Sequence, residues 1–144
     1  MNIGPTRVRR VLVVDDDPTL LANVAEGLDL LGGYEVIAAS DGVEGLTQFF
    51  AARPDCVIVD VRMPGLSGYQ FIRALRGDPE TVQTPLVILS ALVQDYEQLA
   101  GLLVGADAYL IKPVRIADLV LAVERAVKLT TEERSRTLRG LSEL

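Results

Sequence analysis

Three aspartates, a serine and a lysine stand where strands would end. Asp15 and Asp16 follow the apolar run from Val8 to Val14, and Asp60 follows Val57, Ile58 and Val59. Ser90 closes the run from Leu86 to Leu89, and Lys112 the run from Ala108 to Ile111. Short apolar runs bounded by turn residues read as buried strands, and open α/β sheets place their ligands at the carboxyl ends of such strands. Clustered carboxylates repel and raise one another's pKa unless a cation sits among them. Oxygen-only ligands suit a hard ion, and Mg²⁺ takes a few carboxylates together with waters and phosphate oxygens. A lysine and a hydroxyl facing that ion are what a phosphoryl group needs. The metal and Lys112 would neutralise its charge, and Ser90 would hydrogen-bond an equatorial oxygen. Asp60 is then the natural nucleophile, forming an acyl phosphate.

Each of these residues also has an ordinary explanation. Asp60, with Met63, Pro64 and Gly65 after it, could simply end a strand and cap a turn; Ser90 could be a plain hydroxyl and Lys112 a surface lysine. Their recurrence on successive strand ends of one fold favours a shared site.

The intervening segments supply helices. Asp17 before Pro18 is a helix start, with a capping carboxylate and a proline whose missing N–H costs nothing at the first helical position. Leu20, Leu21, Val24, Leu28 and Leu31 follow helical spacing, and Gly32-Gly33 ends the segment. A second strand, Tyr34 to Ala39, leads through Ser40, Asp41 and Gly42 to a helix ending near Ala52. Arg53, Pro54 and Asp55 introduce the strand that ends at Asp60. Ser67 is expected to cap a helix carrying Phe71, Ile72 and Leu75, closed near Gly77, Asp78 and Pro79. A helix from about Asp95 to Val104 stops at Gly105, and an amphipathic helix from Ile116 to about Leu129 carries Leu119, Val120, Val123, Ala126 and Val127. Five alternations of strand and helix call for a parallel sheet covered on both faces, with right-handed crossovers. In a doubly wound sheet of order 2-1-3-4-5, strands one and three adjoin at the switch point, so the three carboxylates converge.

Composition narrows the function classes. A chain of 144 residues, 49% hydrophobic and 24% charged, is one domain with a sizeable core. No apolar run approaches the roughly 20 residues that span a bilayer, and the first residues lack the apolar core of a signal peptide. The net charge of −6 argues against direct nucleic-acid binding; Arg7, Arg9 and Arg10 read as a solvated lead-in to the first strand. There is no histidine, which excludes histidine acid–base chemistry and phosphohistidine on this chain. The one cysteine, Cys56, reads as a small buried core residue, and a reducing, cytoplasmic setting fits.

From about Arg10 to Leu129 the chain resembles a response-regulator receiver domain of two-component signalling. The resemblance rests on Asp15-Asp16, the stretch from Asp60 through Arg62, Met63 and Pro64 to Gly65, Ser90-Ala91, Gly105-Ala106-Asp107, and Tyr109 through Lys112-Pro113. The steps of 45, 30 and 22 residues from Asp15 to Asp60 to Ser90 to Lys112 are also those typical of the family. The resemblance implies a flavodoxin-like (βα)5 fold for residues 1–129, with 130–144 a C-terminal tail or linker helix. It implies that Asp60 takes a phosphoryl group from a phosphohistidine on a sensor histidine kinase or phosphotransfer protein. It further implies Mg²⁺ held by Asp15 or Asp16, Asp60 and the backbone carbonyl of Arg62, pairing of Lys112 with the phosphoryl group, and a cis Lys112–Pro113 bond. By the same resemblance the chain is a phosphoacceptor switch, not an enzyme, though it assists its own phosphorylation and dephosphorylation. Ser90 is drawn toward the phosphoryl group and Tyr109 turns inward, a population shift biased by a local charge. The readout face is the helix from Asp95 to Val104, the fifth strand and the helix from Ile116. It would meet a downstream effector or output domain, or a second copy of the chain.

Two other readings compete. A haloacid-dehalogenase-like phosphatase also uses an aspartyl nucleophile, a hydroxyl and a lysine. Such enzymes carry a second Asp two residues after the nucleophile, where this chain has Arg62, and their further acidic residues follow the lysine. A flavodoxin-like cofactor binder is disfavoured by the carboxylates, which would repel a flavin phosphate.

In the tail, Thr130 and Glu133 form a capping-box pattern, Glu132 and Arg136 are spaced for an ion pair, and Leu138, Leu141 and Leu144 could form a narrow apolar stripe. A linker helix, a dimerisation helix and a frayed terminus are all open, with fraying the default. Fifteen residues or so are too few for an output domain, which needs on the order of 50.

Arg62 and Leu92 lie two residues after Asp60 and Ser90 and flank the site. They are expected to modulate water access to the acyl phosphate. Dephosphorylation rates of Arg62→Ala and Leu92→Ala should therefore differ from the parent's, and unchanged rates would remove this role.

Overall fold

A computed structural model of the chain describes residues 9–61, 68–91 and 106–142, with side chains as far as Arg136. The elements are β1 (Arg10–Val14), α1 (Pro18–Gly32), β2 (Glu35–Ala39), α2 (Gly42–Ala52), β3 (Cys56–Asp60), α3 (Gly68–Arg76), β4 (Leu86–Ser90), β5 (Ala108–Ile111), α4 (Ile116–Lys128) and α5 (Thr131–Ser142). The strands form one parallel sheet of order β2-β1-β3-β4-β5, the expected doubly wound order. The expected helix from Asp95 to Val104, the Ser67 cap, the turn at Met63, Pro64 and Gly65, and both Arg62 and Leu92 lie outside the described residues.

Side-chain alternation along the strands divides the core in two. Leu12, Val14, Val57, Val59, Leu86 and Ile88 face α2 and α3, where Phe49, Phe71, Ile72 and Leu75 cover them. Val11, Val13, Cys56, Ile58, Val87 and Leu89 face α1 and α4, beneath Val24, Leu28, Leu119 and Val123. The central strands are buried on both faces, which is why they read as unbroken apolar runs. Each fully buried aliphatic or aromatic side chain contributes roughly 1.5–3 kcal/mol. Burial pushes the Cys56 thiol well above its usual pKa, as befits an inert core residue. Leu31 departs from the expected helical stripe: it is 61% exposed, because α1 presents only Val24 and Leu28 fully to the sheet.

Local chemistry sets the element ends. The Asp17 carboxylate accepts from the N–H groups of Thr19 and Leu20 at 2.9 and 3.3 Å, with Pro18 opening α1. Gly33, at φ 67°, closes that helix in the left-handed conformation that glycine adopts without a Cβ penalty. Asp41 accepts from Glu44 N–H at 2.8 Å, and Glu44 reaches back to accept from Ser40 N–H at 3.0 Å. The end of α2 was not legible: Arg53 takes the left-handed conformation at φ 50°, its guanidinium 5.4 Å from the Phe50 ring. A non-glycine residue in that region costs roughly 1–2 kcal/mol, which the cation–π contact offsets in part.

The tail departs from the default of fraying. Thr130 Oγ1 accepts from Glu133 N–H, which caps α5 as the pattern predicts, while the Glu133 carboxylate accepts from the Thr130 hydroxyl rather than from its backbone N–H, both at 3.0 Å. Arg134 is 5% exposed.

The start of α3 constrains the site most closely. A Cβ on Gly68 would lie 2.4 Å from the Asp60 carbonyl oxygen and 2.4 Å from Val61 Cα, both backbone atoms that cannot swing aside. Gly68→Ala is expected to destabilise the protein by roughly 1–3 kcal/mol through overpacking, read as a lowered urea midpoint with an unchanged slope.

Candidate functional site

β1 and β3 are neighbours, paired as Val13 with Ile58 and Val14 with Val59, so the next step along the sheet sets Asp15 beside Asp60. Period-2 alternation puts Asp15 in series with Val11 and Val13, and Asp60 with Cys56 and Ile58, on one side of the sheet. Lys112 follows Ala108 and Leu110 onto that same side. Asp15 is fully buried and Asp60 is 6% exposed. Lys112 Nζ donates to Asp15 Oδ2 at 2.8 Å and to Asp60 Oδ2 at 2.9 Å, bridging the two carboxylates. The other Asp15 oxygen, Oδ1, accepts from Asp17 N–H at 2.9 Å, which locks the carboxylate in place.

Buried carboxylates need such partners, because desolvation otherwise disfavours the charged form. Burial alone would lower the Lys112 pKa, but its hydrogen bonds to Asp15 and Asp60 and their charges outweigh burial and hold it above the ordinary lysine value. The exposed Asp16 completes the cluster, with one carboxylate oxygen from each of Asp15, Asp16 and Asp60 lying within 4.8 Å of one another. That is close to the span of about 4.2 Å between opposite ligands of an octahedral ion bound at about 2.1 Å. Three carboxylates against one ammonium also leave two negative charges uncompensated within this set, the complement of a divalent cation.

Ser90 ends β4 fully buried, and its carbonyl accepts from Lys112 N–H at 2.7 Å, which ties the strand end to the lysine. Ser90 continues the series of Leu86 and Ile88, and Tyr109, paired with Ile88, packs half-buried against that same apolar cluster. The two residues therefore share the face opposite Asp15 and Lys112. The Lys112–Pro113 bond is cis, as the resemblance implies. Arg62, whose carbonyl was expected at the metal, lies outside the described residues.

One feature near the site was missed from sequence. A groove of about 920 Å³ runs from Lys112 and Pro113 between α1 and the start of α4, lined by Leu20, Val24, Leu30 and Ile116. Leu30, at 73% exposed, stands on its rim. The adjacent Leu30-Leu31 pair carried the signal, since a helix that buries one stripe cannot bury two successive leucines equally well.

The family model for the response regulator receiver domain matches residues 11–124. The chain belongs to the response-regulator receiver family. The transcriptional regulatory protein PrrA of Mycobacterium tuberculosis is 43% identical over 128 residues, covering 89% of this chain and 53% of PrrA. The response regulator MprA of the same species is 38% identical over 124 residues, covering 86% and 53%. Among solved structures, the chemotaxis response regulator CheY4 of Vibrio cholerae superposes with a TM-score of 0.75 at 33% identity, covering 83% of this chain and 99% of CheY4. This receiver domain thus spans about half the length of the curated relatives it matches. It is a signalling switch of the two-component class, and the dehalogenase-like phosphatase reading finds no support among these relatives. Among the described residues no helix is long and apolar enough to cross a membrane.

The raised Lys112 pKa sets the pH behaviour of the receiver domain. A group whose folded pKa is raised contributes stability that is fully present below its unfolded value, about 10.4 for lysine, and is lost as pH climbs through the folded value. The parent's stability, from urea unfolding, should therefore show a fall above about pH 10 that Lys112→Met, which lacks the titrating ammonium, does not share. A decline that begins near neutrality would contradict the assignment.

Proposed function

We propose that Asp60 is the phosphoacceptor of this receiver domain. The observation that carries the reading is the buried Asp15–Lys112–Asp60 bridge at the switch point of the sheet, with Asp16 beside it. An Asp60 oxygen attacks the phosphorus of a phosphohistidine on a sensor histidine kinase or histidine phosphotransfer protein. The N–P bond breaks, an O–P bond forms, and the imidazole nitrogen of the donor retains the electron pair and takes up a proton. The donor histidine lies outside these 144 residues, which contain none. The apolar groove beside Lys112 gives such a partner a platform next to the acceptor.

Asp15, Asp16 and Asp60, with the Arg62 carbonyl, would hold Mg²⁺, which when bound supplies charge neutralisation at the phosphoryl oxygens. Lys112 exchanges its bond to Asp60 for one to a phosphoryl oxygen while keeping Asp15. Ser90 donates to a second oxygen, and Tyr109 fills the space that Ser90 leaves. The same arrangement positions water for slow hydrolysis of the acyl phosphate, so the domain assists its own dephosphorylation. The readout face includes β5 and α4, where Ile111 and Leu121 stand 44% and 43% exposed, and would meet an effector, an output domain or a second copy. With a net charge of −6 the receiver itself does not contact nucleic acid, and the reaction takes place in the cytoplasm.

Incubation with acetyl phosphate and Mg²⁺ is expected to add one phosphoryl group, read by intact mass. Asp60→Asn should abolish the addition, and a chelator should reduce it by at least tenfold. Modification that persists in Asp60→Asn would overturn the assignment.

A further inference from the structure

The tail carries a buried ionic contact that the phosphorylation site does not use. Arg134, on the first turn of α5, donates through Nε to Asp107 Oδ1 at 3.0 Å and through NH2 to the Ala126 carbonyl at 2.8 Å. Ala126 lies in the last turn of α4, where the helix end favours a cation, and its carbonyl also accepts from Leu129 N–H at 3.3 Å. Ser135, the next residue, accepts from Gln83 Nε2 at 2.8 Å, which adds the segment before β4 to the contact. Asp107 in turn holds β4 and β5 together: its Oδ2 accepts from Leu86 N–H at 2.7 Å, and its own N–H donates to the Leu86 carbonyl at 2.9 Å. The Arg134 and Asp107 side chains are only 5% and 6% exposed. A second buried guanidinium, Arg76, lies 3.8 Å from Asp107 Oδ2 and donates to the Val82 and Thr84 carbonyls, so among the described residues Arg134 supplies the closer of the two cations that Asp107 meets.

β4 and β5 therefore have two fastened ends. At one end Asp107 and Leu86 meet Arg134; at the other, the Ser90 carbonyl accepts from Lys112 N–H, and Lys112 Nζ reaches the carboxylates of Asp15 and Asp60. The strands are five and four residues long and run in parallel register from Val87–Ala108 to Ser90–Ile111. A displacement at one end of so short a hydrogen-bonded pair is transmitted to the other. A buried ion pair keeps its value only in good geometry, since desolvation is repaid by close contact alone. The contact is thus made or lost rather than gradually stretched.

We propose that Arg134 is a latch that makes the C-terminal helix part of the switch, closed when Asp60 carries no phosphoryl group and loosened when it does. The inference rests on Asp60 being the phosphoacceptor. A phosphoryl group on Asp60 extends beyond the carboxyl edge of the sheet and draws Lys112 and Ser90 toward it. That pull moves β4 and β5 along their length and takes Asp107 away from Arg134, which Ala126 and Ser135 hold to α4 and to the segment before β4. By linkage, breaking the latch favours the phosphorylated form by the same factor. The direction in which the chain leaves the domain then depends on the state of the site.

The test is amide hydrogen exchange on the full chain, with and without beryllium fluoride plus Mg²⁺ as the phosphoryl mimic, binding being read independently by ¹⁹F NMR. Bound mimic should speed exchange across residues 130–136 on the order of tenfold. Arg134→Ala should exchange at the fast rate without the mimic and bind the mimic about tenfold more tightly. A bound-fluoride resonance with unchanged or slower exchange in the parent chain would overturn the latch alone, and needs no variant to fold. Unaltered affinity in a folded Arg134→Ala would do the same. No bound-fluoride resonance would overturn the phosphoacceptor reading and the latch together.

Discussion

The buried pairing of two carboxylates with one ammonium is the constraint on which this domain turns. Asp15 and Asp60 sit side by side at the centre of a parallel sheet, nearly removed from water, with Lys112 between them. Neither carboxylate would be stable there as an ion without that cation, and the cation reaches them only because β5 ends two strands away on the same side. The negative charge that remains among Asp15, Asp16 and Asp60 is what the proposed function assigns to a divalent ion and a phosphoryl group.

The scaffold explains how so polar a centre is tolerated. Central strands with apolar residues on both faces give the carboxylates a rigid base, and the helices that cover them begin and end on local chemistry: Asp17 and Asp41 as caps, Gly33 as a left-handed stop. Gly68 shows how little slack there is, since α3 starts in contact with the backbone of Asp60 and Val61. The opposite edge of the sheet repeats the theme on a smaller scale. Asp107 is again a buried carboxylate at a strand end, again paired with a cation from a distant part of the chain.

The convergence of Asp15, Asp16, Asp60 and Lys112 was legible because these residues stand at the ends of recognisable apolar runs. β3 and β5 have the expected bounds, and the helical stripes of α3 and α4 point inward as their spacing requires. Arg53, Leu31 and Arg134 were not legible. The left-handed turn at Arg53 depends on a ring packed beneath its guanidinium. The exposure of Leu31 depends on which stripe of α1 meets the sheet, and that stripe is centred on Val24 and Leu28. Arg134 looked like any charged residue of a terminal helix until Asp107 and the end of α4 came within reach of it.

By itself, the sequence determined the order and kind of the elements, the parallel sheet they form, and the residue types gathered at its carboxyl edge. These follow from patterns of period two and 3.6, from caps, and from the chemistry of a few side chains, all of which are local. Only the tertiary structure decided which oxygen meets which nitrogen: that Lys112 bridges Asp15 and Asp60, that Ser90 and Tyr109 share the other face, and that the tail is fastened by Arg134. Those contacts join residues 97, 52 and 27 positions apart. No local pattern encodes such a distance, because it is set by the register of strands and the packing of helices across the whole domain.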